Sequence, residues 1–263
     1  MIQAGELKET FNTVVDEYDR WRPTYVDELY QQIFAARPMD ETCRALEVGI
    51  GTGQATLPVL KTGCEVVAVE LGEQMAAYSR KKFAAWPKFR VVNLPFEQFE
   101  AEEQSFDLIF SATAFHWVDE KMGYEKAYRL LKKGGVFARF ANHPNADKGR
   151  PQLHDAIQPL YAKYRPGERS RSSREEYGMQ QAQAVAQIAE KYGFVDISTH
   201  LYRRTRDFTA RQYTGLLGTY SDNLAMEEGV RRRFFAEIEQ AIDSLGGIIT
   251  LYDTIDLELA RKP

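Results

Sequence analysis

The chain has 263 residues, 44% hydrophobic and 27% charged, a globular composition that excludes a disordered or fibrous protein. Lys and Arg total 34 against 38 Asp and Glu, so the formal net charge is -4 and general polyanion binding is disfavoured. Two cysteines, Cys43 and Cys64, are too few for a disulfide framework. No apolar stretch approaches the roughly 20 residues that cross a bilayer. The opening "MIQAGELKET" has neither the basic region nor the apolar core of a signal peptide, so a soluble, cytoplasmic protein is expected.

In chain order, Leu7, Phe11, Val14 and Tyr18 recur at helical spacing and predict an amphipathic helix over 6–18 that ends before Pro23. A second helix is expected from Thr24 to near Pro38, with Val26, Leu29, Tyr30 and Ile33 on one face. The pattern then changes to short apolar runs: "RALEVGIGTG" (44–53), "CEVVAVE" (64–70), "FRVVN" (89–93), "FDLIFSATA" (106–114) and "GVFARFAN" (135–142). Helical stretches such as 72–85 and 119–131 lie between them. Strands alternating with helices predict a mainly parallel sheet, and runs such as "VVAV" fit burial on both of its faces. Residues 148–174 hold Lys148, Arg150, Lys163, Arg165, Arg169, Arg171 and Arg174 against only Asp155 and Glu168. A helix is expected from about 174 to Tyr192, then a sixth strand in "FVDISTHLYRRTRDF". Helices over 209–245 break at Ser221 to Asn223. The last strand is "IITLYDTIDLELA", whose alternation suits a position with differing faces.

The strongest constellation is "LEVGIGTGQAT" (46–56) with Glu70. Glycines at 49, 51 and 53 follow a buried strand and precede a helix, a turn whose backbone can approach a ligand closely and adopt positive φ. Glu70 ends the next strand, beside the first at the crevice where strand order reverses. A carboxylate there can accept both hydroxyls of a ribose. A dinucleotide fingerprint fails because Gln54 stands where its third glycine belongs, and the phosphate loop ending in Gly-Lys-Ser/Thr is absent.

These motifs, with "LGEQM" after Glu70, "FDLIFSATAFHWVD" (106–119) and "LLKKGGVFARF" (130–140), resemble those of class I S-adenosylmethionine-dependent methyltransferases. The "AFHW" form, with "YDRWRPTY" (18–25) upstream, is similar to the type 11 branch that includes trans-aconitate methyltransferases. The resemblance covers roughly residues 10–142. It implies a doubly wound α/β fold with a seven-stranded, mainly parallel sheet whose last strand is inserted antiparallel. A single domain over 1–263 is expected: N-terminal lid helices (1–38), a cofactor-binding core (39–142), a helical cap insertion including the sixth strand (143–245), and the last strand (246–263). By the same resemblance Gly49, Gly51 and Gly53 line the methionine moiety and Glu70 holds the ribose. Leu71 and Met75 flank the adenine, Phe96 offers it a backbone N–H, and the Asp that many relatives carry where Pro95 stands is either missing or replaced by Glu97. Ala112 lies beside the sulfonium. Tyr18 and Arg22, at the end of the first helix, are expected at the crevice mouth, where the guanidinium could meet the methionine carboxylate.

His116, one of four histidines, comes after the fourth strand and is the candidate general base or hydrogen-bond donor to an acceptor. Trp117 either walls the acceptor pocket or packs under the cap. There is no Asp/Asn-Pro-Pro-aromatic tetrad and no Pro-Cys pair, which disfavours nucleic-acid base modification. His143 and His154 have no cysteine or paired carboxylate near them, so no metal is expected. The basic stretch, with Arg203, Arg204 and Arg206, could pair with substrate carboxylates, form a solvated face, or bind RNA. The sequence reads as methyl transfer from S-adenosylmethionine to an oxygen, carboxylate or hydroxyl, of a small molecule, with carboxylic acids among the candidates and no nucleic-acid or membrane partner. The alternatives are a cofactor-binding regulatory or interaction module without turnover, and an NAD-dependent oxidoreductase, which Gln54 disfavours.

Overall fold

The computed structural model describes residues 14–145, 149–166 and 176–263. Leu7, Phe11, Lys148, Glu168, Arg169, Arg171 and Arg174 lie outside the described residues. The strands are β1 (Arg44–Val48), β2 (Glu65–Glu70), β3 (Phe89–Asn93), β4 (Phe106–Ala112), β5 (Leu131–Asn145), β6 (Val195–Thr209) and β7 (Ile248–Arg261). They form one sheet in the order β3-β2-β1-β4-β5-β7-β6. Strands β1 to β5 pair in parallel, as the alternation with helices requires. Gly134 and Gly135 exchange backbone hydrogen bonds with Lys262 at 2.8 and 2.9 Å, and the Ala141 N–H donates to Asp256 at 2.6 Å. Residue numbers therefore rise along β5 as they fall along β7, so β7 runs antiparallel.

The described helices are α1 (Val15–Trp21), α2 (Asp27–Ala36), α3 (Thr56–Leu60), α4 (Glu73–Lys82), α5 (Glu120–Leu130), α6 (Pro151–Tyr164), α7 (Met179–Ala186), α8 (Ala210–Leu217), α9 (Ser221–Leu224) and α10 (Glu228–Ser244). The chain divides into two compact units. A sheet unit comprises Pro23–Asn142, Gly178–Tyr202 and Ile255–Pro263, and a helical unit comprises Met1–Arg22, His143–Tyr177 and Arg203–Thr254.

In the sheet unit, successive side chains alternate between two cores, as a pleated strand demands. Ala45, Val66, Ala68, Leu108 and Phe110 join Leu29, Ile33 and Val59 in one; Leu46, Val67, Val69, Ile109 and Phe137 join Tyr124, Ala127 and Leu130 in the other. That two-sided burial explains the unbroken apolar runs. In the helical unit α10 packs against α6 and α8, and α1 against α8. Phe234, Ile238 and Ile242, at four-residue spacing on α10, are fully buried. Thr209 and Gln212 form a capping box that starts α8, with the Thr209 N–H donating to Gln212 Oε1 at 2.9 Å.

Two expectations need correction. The break placed at Ser221 to Asn223 is the helical turn α9; the interruptions fall on either side of it. The alternation in β7 does not mean differing faces, because from Asp253 to Ala260 every residue is buried. Two of its acids are held by distant donors: Asp256 by the Ala141 amide, and Asp253 by two arginines of β6.

The basic residues of the described helical unit are largely paired within it. Arg206 donates to Asp253 through Nε (2.5 Å) and Nη2 (3.0 Å), and Arg204 through Nη2 (3.1 Å). Arg203 bonds Glu176 at 2.7 Å, Lys163 bonds Glu237 at 2.7 Å, and Arg165 pairs with Asp222. Asp253 is fully buried, so its removal would leave two partly buried guanidiniums without their carboxylate. We expect Asp253→Ala to lower stability by about 2–4 kcal/mol, measured by denaturant unfolding, with the loss reduced where the guanidiniums reach water.

Candidate active site

The end of β1 and the end of β2 are joined by more than the sheet ladder. The Gly49 and Ile50 N–H groups both donate to Val69 O, at 2.9 and 3.3 Å, so pairing continues into the loop. The next amide, Gly51 N–H, leaves the ladder and donates to Glu70 Oε2 at 2.8 Å. Glu70 Oε1 accepts from Gly72 N–H at 2.8 Å, so one carboxylate holds both the glycine loop and its own following turn. Ser79 Oγ donates to Gly51 O at 2.7 Å, and Lys82 Nζ to Thr52 O at 2.8 Å, which ties the loop to α4.

Gly49, Gly51 and Gly53 have φ of 74°, 57° and 82°, the left-handed region expected of them. Gly49 and Gly53 also have a packing reason to lack a side chain. A Cβ at Gly49 would overlap the Ala114 methyl, and one at Gly53 would overlap the Phe83 ring.

Two carboxyl groups sit under this loop. Desolvation pushes the Glu70 pKa up, against the pull of the Gly72 and Gly51 amides. Glu47, in the middle of β1 and 1% exposed, was missed by sequence reasoning. Its signal was an acid inside the apolar run "RALEV". Burial pushes its pKa up to about 8, opposed by the Thr56 hydroxyl, which donates to Oε2 at 2.7 Å.

The remaining predicted residues are distributed around this loop and the neighbouring strand ends. Asn93 Nδ2 donates to Glu70 O (2.8 Å) and Leu71 O (2.9 Å), fastening the end of β3 to the end of β2. Leu71 is half-buried; Met75 is inside α4's packed face. Phe96 opens a 3-10 turn (Phe96–Gln98) and is buried, with Glu97 half-buried beside it. Ala112 ends β4 opposite Phe140. After it, Thr113 has φ of 54°, unusual for a β-branched residue, and is held by its N–H to Phe140 O (2.8 Å) and by its Oγ1 against the Tyr25 hydroxyl (2.7 Å). His116 is exposed, its ring 5.0 Å from that of half-buried Trp117. The glycines, Glu70, Leu71, Met75, Phe96, Glu97, Ala112, His116 and Trp117 thus share the sheet unit.

Tyr18 and Arg22 belong to the helical unit. There Arg22 donates to Thr219 through Nε (2.9 Å) and Nη2 (2.7 Å), over the Tyr220 and Tyr18 rings. Among the described residues no group of three His, Cys, Asp or Glu could hold a metal, and no helix is long and apolar enough to cross a membrane.

Glu47 makes stability pH-dependent. Between its ordinary value of 4.5 and about 8 the folded chain keeps a proton that the unfolded chain has released, so this contribution is complete below pH 4.5 and is lost by about pH 8. Glu258, raised to about 9 by burial and by Asp256, extends the decline. We expect Glu47→Gln to flatten the fall in Tm between pH 5 and 8, gaining about 2–4 °C per kcal/mol recovered at the alkaline end. A series of melting curves at increasing pH measures it.

Comparison with known proteins bears on the domain and the fold. Residues 46–138 match the methyltransferase domain family that the loop and its strands suggest. An uncharacterized methyltransferase of Schizosaccharomyces pombe is 24% identical over 242 residues, covering 91% of this chain and 89% of that protein. A malonyl-[acyl-carrier protein] O-methyltransferase of Enterobacter lignolyticus is 33% identical over 107 residues, covering 40% of this chain and 41% of its own length. The structure of a candidate type II methyltransferase from Anaeromyxobacter dehalogenans has the same fold, with a TM-score of 0.65 at 22% identity, covering 91% of this chain and 97% of that one. The matched domain, the methyltransferase relatives and the shared fold together support an enzyme that transfers methyl groups from S-adenosylmethionine.

Proposed function

We propose that the chain transfers a methyl group to an oxygen of a small organic acid, with the cofactor held over the ends of β1, β2 and β4. The observation that carries the cofactor part of this reading is the Glu70 carboxylate. Its two oxygens offer about four acceptor positions. The Gly51 and Gly72 amides occupy two of them, so the acid is already oriented and can still accept two ribose hydroxyls. The residues therefore fit the cofactor. Gly49 to Gly53 present backbone to its methionine end, Leu71 and Met75 pack the adenine side, and the Phe96 N–H and Glu97 face the ring. Ala112 is the strand-end residue nearest the reacting sulfur in this reading.

When bound, S-adenosylmethionine supplies an electrophilic methyl carbon on a positively charged sulfur. The chain's contribution is to hold an acceptor oxygen in line with it, since alignment alone is worth roughly 7–11 kcal/mol over free encounter. A carboxylate oxygen is already nucleophilic and needs no base. A hydroxyl acceptor would give its proton to His116, whose exposed ring can pass it to water. Trp117 walls the acceptor side. Likeness to an O-methyltransferase over 107 residues supports oxygen as the acceptor atom. Small carboxylic acids, trans-aconitate among them, are the acceptors to test first.

The test measures release of S-adenosylhomocysteine from S-adenosylmethionine against a panel of mono-, di- and tricarboxylic acids, alcohols and amines. Turnover with an acid, giving a methyl group that mild alkali liberates as methanol, is expected. Turnover with amines alone, giving an alkali-stable product, would replace this reading. Glu70→Ala should weaken cofactor binding by at least tenfold, since charge-assisted hydrogen bonds contribute about 1.5–3 kcal/mol. Calorimetric titration reads it directly.

A further inference from the structure

Lys126 lies on the face of α5 turned to the sheet core and is 7% exposed. A buried ammonium is costly unless each of its three N–H donors is satisfied. Here Nζ donates to Phe99 O at 2.7 Å, Glu97 O at 2.8 Å and Phe96 O at 3.3 Å, and lies 3.3 Å from Glu100 Oε1. Three of these four acceptors are backbone carbonyls of one short segment, the turn that carries Phe96. Carbonyls at the end of a helical turn attract a cation, and Phe96 O accepts from the Phe99 N–H (3.1 Å) as well as from the ammonium. The same ammonium stands 5.7 Å from the Phe96 ring centre.

The helix that carries Lys126 is itself fixed. Tyr124, Ala127 and Leu130 are in the core, and Asp119 caps the first turn by accepting from Met122 N–H at 2.9 Å. The segment after β3 is therefore fastened at both ends: Asn93 ties its start to the Glu70 and Leu71 carbonyls, and Lys126 ties its end to α5. Without Lys126, the Glu97 and Phe99 carbonyls would lose this donor, while Phe96 O would keep the Phe99 N–H at 3.1 Å.

We propose that Lys126 is a positioning residue for adenine recognition: it touches no cofactor atom, and it sets where the Phe96 backbone N–H points. This rests on the reading of the Phe96 segment as the adenine side of the site. The test compares binding of S-adenosylhomocysteine with that of its inosine analogue, S-inosylhomocysteine. In the analogue, ring atom N1 carries a hydrogen and can no longer accept from Phe96. Calorimetric titration of the unmodified protein should show at least tenfold preference for the adenine form. Lys126→Met should weaken S-adenosylhomocysteine about tenfold while changing the analogue little, so that the preference falls towards unity. Lys126→Gln, which keeps two N–H donors, should recover part of it, and decides the question where the Met variant does not fold. A fall in melting temperature with the preference unchanged in both variants would overturn the proposal, since a merely structural lysine behaves that way. Absence of any preference in the unmodified protein would instead remove the adenine assignment, and the proposal with it.

Discussion

The Glu70 carboxylate bonds two backbone amides at once, Gly51 beyond the end of β1 and Gly72 beyond the end of β2. Parallel strands hydrogen-bond only along their length, so the chain beyond their ends is free unless something holds it. Here the holder is an acid whose position is set by the β2 ladder, with Val48 opposite Val69 and Glu70 opposite Asn93. The loop conformation is the result: three left-handed glycines, two of them closed off by Ala114 and Phe83. A site built this way is organised before any ligand arrives, and ligand binding need not supply the ordering entropy.

The same end of the sheet carries an unfavourable charge arrangement. Glu47 is buried one strand away from Glu70, whose charge raises the cost of ionising Glu47 as pH climbs. Lys82, which donates to Thr52 O, offsets part of it. Backbone strain at Thr113 adds to the cost, held by Phe140 and Tyr25. Polar burial and strain concentrated at one place in an otherwise apolar core are the usual mark of a functional site, where stability is traded for a fixed geometry.

Local patterns made much of this legible in the sequence. Apolar runs of five or six residues ending in glycines announce buried parallel strands, and an acid closing the second run marks the strand end proposed to hold the ribose. What escaped depends on partners far apart in the chain. Arg22 meets Thr219 across 197 residues, and nothing near Arg22 signals that. Asp253 and Asp256 of β7 belong to an alternating pattern that suggests differing faces, yet their donors come from β5 and β6. Nothing beside Lys126 in the chain signals its role, because the carbonyls it holds lie in a turn 27 to 30 residues earlier. Periodicity reports which face is apolar; it does not report that a buried charge has found enough acceptors.

The claim that Glu70 preorganises the glycine loop is tested most directly by residue-resolved amide hydrogen exchange at Gly51 and Gly72, with and without S-adenosylhomocysteine. Both amides should already exchange slowly in the free protein, because each donates to the carboxylate, and saturating ligand should slow them further. Exchange of both amides at unprotected rates, unchanged by ligand, would contradict it.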